Sequence, residues 1–97
     1  MKYLTFRKGF KTYLQLERAL SINTIDAYLH DVDLLFSFLT ISLNEKKLNE
    51  ITLKDLRGFT QFINKMGIGA FSQARVISGV KSFFRYLTEE QIIQVDP

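Results

Sequence analysis

Apolar residues recur at three- and four-residue steps along this chain, and this spacing constrains the fold more than any other feature. The clearest case runs from Phe71 to Leu87, where the apolar positions are Val76, Ile77, Val80, Phe83, Phe84 and Leu87. At roughly 100° per residue these side chains share one face of a helix. No segment alternates apolar and polar residues over the length of a strand, and the only proline is the last residue. The spacing therefore predicts an all-α domain.

The same spacing predicts three earlier helices. The first is expected over about residues 4–18, the second over about residues 22–40, and the third after residue 52. The expected caps are Ser21, Thr52 with Asp55 in a capping box, and Ser72 for the fourth helix. Gly67 and Gly69 are expected to end the third helix. We therefore expect one domain over residues 1–97, a small bundle of four main helices with a short C-terminal helical piece after residue 90.

Catalytic and ligand motifs are mostly absent from the sequence. There is no cysteine and His30 is the only histidine, so neither a disulfide framework nor a zinc site is expected. Neither a glycine-rich phosphate loop nor an apolar run of membrane-spanning length is found. Asp26, Asp31 and Asp33 are expected to be solvated charges, because their helix positions do not converge. These features favour a binding module without catalytic residue, metal or cofactor, and the lack of cysteine fits a cytoplasmic location.

The polar face of the fourth helix suggests a polyanionic partner. Opposite its apolar stripe this helix carries Arg75, Ser78, Lys81, Ser82 and Arg85. No Asp or Glu occurs between Lys65 and Leu87. Hydroxyls donate to phosphate oxygens at close range, while Arg and Lys reach phosphates or base edges further away. This pattern favours nucleic-acid binding, and the alternative is an ordinary solvated helix face.

Leu34 and Phe38 lie off the main apolar face of the second helix and suggest a different class of function. Their simplest interpretation is packing against the first helix. The alternative is contact with another domain or protomer, which would make the chain a helical protein-interaction domain using this side or its Phe-rich C-terminal half. Loss of partner binding on neutralising the basic face of the fourth helix would distinguish DNA binding from this alternative.

Several segments resemble the N-terminal domain of the tyrosine recombinases. Residues 20–28, Leu-Ser-Ile-Asn-Thr-Ile-Asp-Ala-Tyr, resemble the family's Leu-Ser-x-Asn-Thr-x-x-x-Tyr opening. Residues 75–87 resemble its Arg-x-Leu-Ser-Ala-x-Arg-x-Phe-Phe-x-Tyr-Leu helix, and residues 51–56 and the closing Asp96-Pro97 also match in order. The resemblance covers essentially the whole chain. It implies a SAM-like core-binding domain of a phage-integrase or Xer-type recombinase.

This resemblance also implies a division of labour within a longer parent protein. In the family, a C-terminal catalytic domain cleaves and rejoins DNA through a 3′-phosphotyrosine, and the core-binding domain forms the other half of a clamp around the duplex. We therefore expect this chain to be a fragment that lacks the catalytic domain, although a complete standalone regulator is a third possibility. The nucleophile is not expected among Tyr3, Tyr13, Tyr28 and Tyr86.

The resemblance further implies which residues contact DNA. Asn23, Thr24 and Ser72 would contact phosphates at helix starts, while Ala27, His30, Arg75, Ser78 and Lys81 would lie along the groove-facing surfaces of the second and fourth helices. Ser82 and Arg85 complete the basic face. The implied partners are double-stranded DNA and other recombinase protomers, with no membrane.

Some positions depart from the family pattern. Lys81 stands where the family more often has Arg. A bidentate contact from this position to a guanine base is therefore less expected. Gly79 replaces the usual Ala and is expected to loosen the fourth helix. Asp26 lies near the expected DNA surface, where phosphates would repel it.

Overall fold

The protein is described by a computed structural model over residues 3–94 and residue 97. Asp96 and part of the expected C-terminal piece after residue 90 lie outside the described residues. Over the described part of the chain the structure contains four α-helices, one short 3₁₀ turn and no strand. The elements are α1 (Leu4–Leu16), α2 (Ile22–Ser42), the 3₁₀ turn (Leu48–Glu50), α3 (Leu53–Lys65) and α4 (Ala70–Glu89). The predicted all-α bundle is confirmed.

Side-chain caps start α2 and α3 as the sequence predicts. Ser21 Oγ accepts a hydrogen bond from the Thr24 backbone N–H at 3.3 Å. At α3, Thr52 Oγ1 accepts from the Asp55 N–H at 3.2 Å, and Asp55 Oδ2 accepts from the Thr52 N–H at 2.9 Å. This reciprocal pair is the predicted capping box, and it satisfies two backbone donors that a helix start otherwise leaves unpaired.

The start of α4 differs from the prediction. Ser72 is not the cap, because α4 already begins at Ala70 and Gly69 occupies the N-cap position without a side-chain hydrogen bond. Gly67 closes α3 with a φ of 85°, in the left-handed region that favours glycine. The two helices are therefore joined by a very short turn, which leaves Ser72 exposed within the first turn of α4.

One aromatic core joins α1, α2 and α4. The ring of Phe83 lies 5.3 Å from Phe10 of α1 and 5.6 Å from Phe36 of α2, both edge-on. Tyr3 stacks on Phe36 at 4.8 Å. The predicted apolar stripe of α4 faces this core, with Ile77 half-buried and the other five positions buried. Burial of these large side chains is the main force that holds the helices together.

The third helix packs through Phe38, which corrects the expected contact of this residue with the first helix. Its ring lies 5.7 Å from Phe59 and 5.4 Å from Phe62, both on α3. Phe38 is only 5% exposed, whereas Leu34 is half-buried. Sequence spacing shows that a residue lies outside the main apolar face of its helix, but it does not show which other helix packs against that residue.

Two apolar residues at the ends of α3 are exposed. Leu53 is 53% exposed and Met66 is 55% exposed. Leu53 is the first residue of α3 and Met66 follows its last residue. Helix periodicity continues to the ends of an element, but the neighbouring helices do not cover these end positions.

The predicted short C-terminal helical piece is a turn through residue 94. After α4, Gln91 adopts a positive φ of 59°. The Gln91 N–H donates to the Thr88 carbonyl at 3.1 Å, and the Ile92 N–H donates to the Leu87 carbonyl at 2.9 Å. These two bonds are the Schellman pattern that ends helices, and they direct Ile93 into the core.

Candidate nucleic-acid interface

An ion pair between Asp31 and Arg75 links α2 to α4. Arg75 Nη1 donates to Asp31 Oδ2 at 3.1 Å, and Nη2 donates to Oδ1 of the same carboxylate. The Asp31 side chain has no exposed surface, while that of Arg75 is 43% exposed. The prediction that Asp31 is a solvated charge is therefore wrong. A carboxylate can be buried here because a bidentate guanidinium satisfies both of its oxygens.

Gly79 provides the space that the buried carboxylate occupies. A Cβ placed on Gly79 would lie 2.1 Å from Asp31 Oδ2 and 2.9 Å from both Cβ and Cγ of Asp31. Such distances are far shorter than van der Waals contact, so α2 can approach α4 this closely only because residue 79 has no side chain. The expectation that Gly79 merely loosens α4 is therefore incomplete, since the same residue admits the inter-helix ion pair.

Burial and pairing act on the ionisation of Asp31 in opposite directions. Desolvation raises the pKa of the Asp31 carboxyl above its ordinary value, and it outweighs the hydrogen bonds and positive charge of Arg75, which act to lower it. The geometry nevertheless matches an ionised carboxylate, because each oxygen accepts a hydrogen bond from a separate Nη atom. The carboxylate therefore depends on Arg75, and loss of this cation would leave a buried acid without its partner.

A second Asp–Arg pair links α2 to α1. Arg7 Nε donates to Asp33 Oδ1 at 2.7 Å, and Arg7 Nη2 donates to Oδ2 at 3.1 Å. The hydrogen bond to Asp33 raises the pKa of Arg7, with smaller contributions from the charges of Asp33 and Asp26. Both paired side chains are more than one-third exposed, so this pair contributes little to stability. Asp33 thus pairs with α1, and the charge of the exposed Asp26 also acts on Arg7.

The exposed face of α4 brings together most of the predicted DNA-binding residues of that helix. At roughly 100° per residue, one arc of about 100° holds Phe71, Ser78, Lys81, Ser82 and Arg85. Within the described residues, neither Lys81 nor Arg85 forms an ion pair. Arg75 lies at one edge of this arc, whereas Ser72 falls outside it.

On α2 the predicted contacts also share a face. Asn23 and His30 are exposed and Ala27 is half-buried, and the three fall within an arc of about 60°. Thr24 is half-buried, and its hydroxyl accepts a hydrogen bond from Ser21 Oγ at 3.0 Å. Thr24 therefore belongs to the helix cap, and it lies apart from the stripe formed by the other three residues.

Phe71 is a surface residue that the sequence reasoning did not assign. Its side chain is 89% exposed and lies on the same face of α4 as Lys81 and Arg85. Its exposure could have been predicted from helix periodicity. Phe71 lies away from the apolar stripe and one turn before residues 74 and 75, which are also exposed. The burial of Phe38, in contrast, removes it as an exposed contact for a protein partner.

The described residues contain no group of His, Cys, Asp and Glu side chains that could hold a metal ion. None of the helices in this part of the chain is long and apolar enough to cross a membrane.

The family model of the phage integrase N-terminal SAM-like domain matches residues 8–91. The chain belongs to this family. The matched segment contains α2 and α4 completely, and therefore every residue that the sequence resemblance assigned to DNA contact. The resemblance to the tyrosine recombinases is thus confirmed.

Curated relatives of this integrase-type domain are tyrosine recombinases. The chain is 35% identical to tyrosine recombinase XerD of Listeria monocytogenes over 93% of its own length and 30% of the relative. It is 32% identical to XerC of Lacticaseibacillus casei over 92% of its length, again 30% of the relative. XerC of Pseudomonas savastanoi is 32% identical over 88% of the chain and 28% of the relative. The chain thus spans about 30% of the length of these relatives. No solved structure matches it significantly.

Proposed function

We propose that this domain binds double-stranded DNA and forms one half of the clamp by which a site-specific tyrosine recombinase encloses its target. The observation that carries the proposal is the Ser-Lys-Ser-Arg face of α4, on which Ser78, Lys81 and Arg85 are exposed and Ser82 is half-buried. The Asp31–Arg75 pair holds this helix against α2. Family membership and the names of the curated relatives support the same role.

The cations of α4 supply the phosphate-binding part of this function. Lys81 and Arg85 are exposed and have no acidic partner among the described residues, so no internal pair has to break before they meet a phosphate. Ser78 and Ser82 add short hydroxyl donors on the same face. Each neutralised phosphate releases condensed counterions, which makes binding of this kind strongly dependent on salt.

The exposed stripe of α2 forms the second contact. Asn23 lies in the first turn, where the positive end of the helix dipole favours a phosphate, and Thr24 lies beside it. His30 is exposed further along, and the small side chain of Ala27 permits close approach to a groove. Ser72 would contact a phosphate separately, at the start of α4.

In this proposal the catalytic chemistry belongs to the rest of a longer parent protein. The relatives are more than three times as long as the segment that they share with this chain. The parent would cleave and rejoin DNA strands through a 3′-phosphotyrosine, together with further protomers, in the cytoplasm. The domain over residues 1–97 would contribute DNA binding and no catalytic residue.

Fluorescence anisotropy of a labelled mixed-sequence duplex tests the proposal directly. The test variant is the double substitution Lys81→Gln and Arg85→Gln, and the matched control is Lys8→Gln and Lys11→Gln, which removes two exposed cations from α1. Loss of two phosphate contacts should weaken binding and reduce the slope of log K against log salt by about 1.8. Equal effects of the two double variants would contradict the assignment of α4, and salt-independent binding of the wild type would contradict the function.

A further inference from the structure

Asp31 is unusual because it is the only buried charged residue in the described part of the chain, and its partner reaches the surface. We infer that Asp31 is a positioning residue, which holds the guanidinium of Arg75 at the α2–α4 crossing so that its solvent-facing edge contacts a DNA phosphate. This inference rests on the DNA-binding function proposed above and assigns the phosphate contact to a fixed cation.

The geometry leaves Arg75 able to bind a second anion. A guanidinium carries five N–H donors, and the Asp31 carboxylate accepts from Nη1 and Nη2. The remaining donors include Nε–H, and the side chain is 43% exposed. Since Asp31 already fixes the rotamer of Arg75, a phosphate meets a cation whose side-chain entropy was lost on folding.

The residues at the α2–α4 crossing favour a role for Asp31 in positioning Arg75 over a role limited to holding the two helices together. An apolar pair of similar volume commonly stabilises a protein as well as a buried ion pair does. Here the ion pair also requires Gly79 in the middle of a helix, where glycine is unfavourable. What the arrangement provides, and an apolar pair does not, is a cation of fixed orientation beside Ser78 and Ser82 on the exposed face of α4.

The substitution Asp31→Asn distinguishes a positioning role from a general electrostatic effect, because the two predict opposite changes in DNA affinity. Removal of a negative charge should strengthen binding to a polyanion. If Asp31 positions Arg75, the same substitution should instead weaken binding, by about threefold to tenfold, since the guanidinium loses its charged anchor. Asp33→Asn is the matched control, because it makes the same charge change on the same helix and breaks the Asp33–Arg7 pair. The control should bind DNA as well as the wild type, or more tightly.

A double-mutant cycle then shows whether Asp31 acts through Arg75. In an Arg75→Gln background, Asp31→Asn should cause no further loss of affinity, as measured by anisotropy with the same mixed-sequence duplex. A purely structural role would weaken binding in both backgrounds. Circular dichroism and thermal unfolding of every variant establish that the compared proteins are folded.

Arg75→Lys provides a second test if Asp31→Asn does not fold. It keeps the positive charge and the exposed site but replaces the planar fork by a point charge. Binding weaker than the wild type supports the inference, and binding equal to it overturns the inference. Stronger binding by Asp31→Asn, to the level of Asp33→Asn, would also overturn it while leaving the DNA-binding function intact if Lys81→Gln with Arg85→Gln still weakens binding. A wild type without salt-dependent binding would overturn the inference together with the function.

Discussion

Glycine in the middle of a helix is costly, and this chain places two such residues opposite polar side-chain atoms. A Cβ on Gly79 would lie 2.1 Å from Asp31 Oδ2, and a Cβ on Gly9 would lie 2.1 Å from the hydroxyl oxygen of Tyr86. The sequence shows each glycine as a weak point of its helix, because the weakness depends only on local propensity. It does not show what the missing side chain admits, because the partner is 48 residues away for Gly79 and 77 for Gly9, on another helix.

The burial of Asp31 could not be predicted from the sequence for a similar reason. Asp31 lies within one helical turn of Tyr28 and Leu35, on the apolar side of α2, so the periodicity itself placed it facing inward. An acid at such a position is normally read as an edge residue, because burial without a partner is prohibitively unfavourable. Only the packing of α4 supplies the partner, and it comes from 44 residues further along the chain.

The close contact at Gly79 predicts that an alanine there changes stability in the opposite direction from the one that helix propensity predicts. Gly79→Ala should destabilise the protein by about 2–4 kcal/mol, because the new methyl group displaces a buried carboxylate from its ion pair. On helix propensity alone the same change would stabilise the protein by about 1 kcal/mol. Urea unfolding followed by circular dichroism measures the difference.

Ser78→Ala is the control, since Ser78 is the exposed neighbour on the same helix, and it should change stability by less than about 0.5 kcal/mol. A stabilising Gly79→Ala would show that Asp31 is not held as the structure describes.

At the level of elements, the helix starts that depend on short-range chemistry were predictable. Ser21 and Thr52 with Asp55 act as caps through hydrogen bonds across three residues, which sequence spacing reveals. The start of α4 was not predictable in this way. Ser72 has the right chemistry for a cap, but the left-handed Gly67 allows the next helix to begin earlier, at Ala70.

The capping box of α3 predicts a specific dependence of stability on pH. Desolvation raises the pKa of Asp55, but the hydrogen bonds from Lys46 Nζ at 2.6 Å and from Thr52 lower it by more, so the net shift is downward. A lowered pKa in the folded state stabilises the fold at pH values above the unfolded pKa of about 3.9. This stabilisation is lost as the pH falls through the folded value. Asp55→Asn should therefore cost about 1 kcal/mol near neutral pH and much less in acid, as measured by urea unfolding across the range.

Thr52→Ala gives the comparison for this prediction. It removes the neutral half of the same capping box, so its cost should vary much less with pH. An equal cost of Asp55→Asn at neutral and acidic pH would show that the Asp55 carboxylate charge contributes nothing to the start of α3.

On the scale of the whole molecule, the fold class and the number of main helices could be predicted because each follows from periodicity within a segment. The arrangement of the helices could not, because the sequence does not show that Phe38 meets α3 or that Asp31 meets α4. The candidate interface divides in the same way. The exposed face of α4 is visible in the sequence, whereas its attachment to α2 is visible only in the fold.

One shared core predicts that the domain unfolds as a single cooperative unit. Phe83 contacts aromatic residues of α1 and α2, and the hydroxyl of the fully buried Tyr3 donates to the Lys46 carbonyl at 2.7 Å, which ties the start of α1 to the segment before α3. The protein has no tryptophan, so tyrosine fluorescence reports this core directly. Its urea transition should coincide with that of far-ultraviolet circular dichroism, which reports the helices. Phe83→Leu should lower the free energy of unfolding by about 1 kcal/mol, and it should shift both transitions to lower urea concentration by the same amount. Helical signal that persists after the tyrosine signal has changed would show that part of the helical structure is stable without the aromatic core.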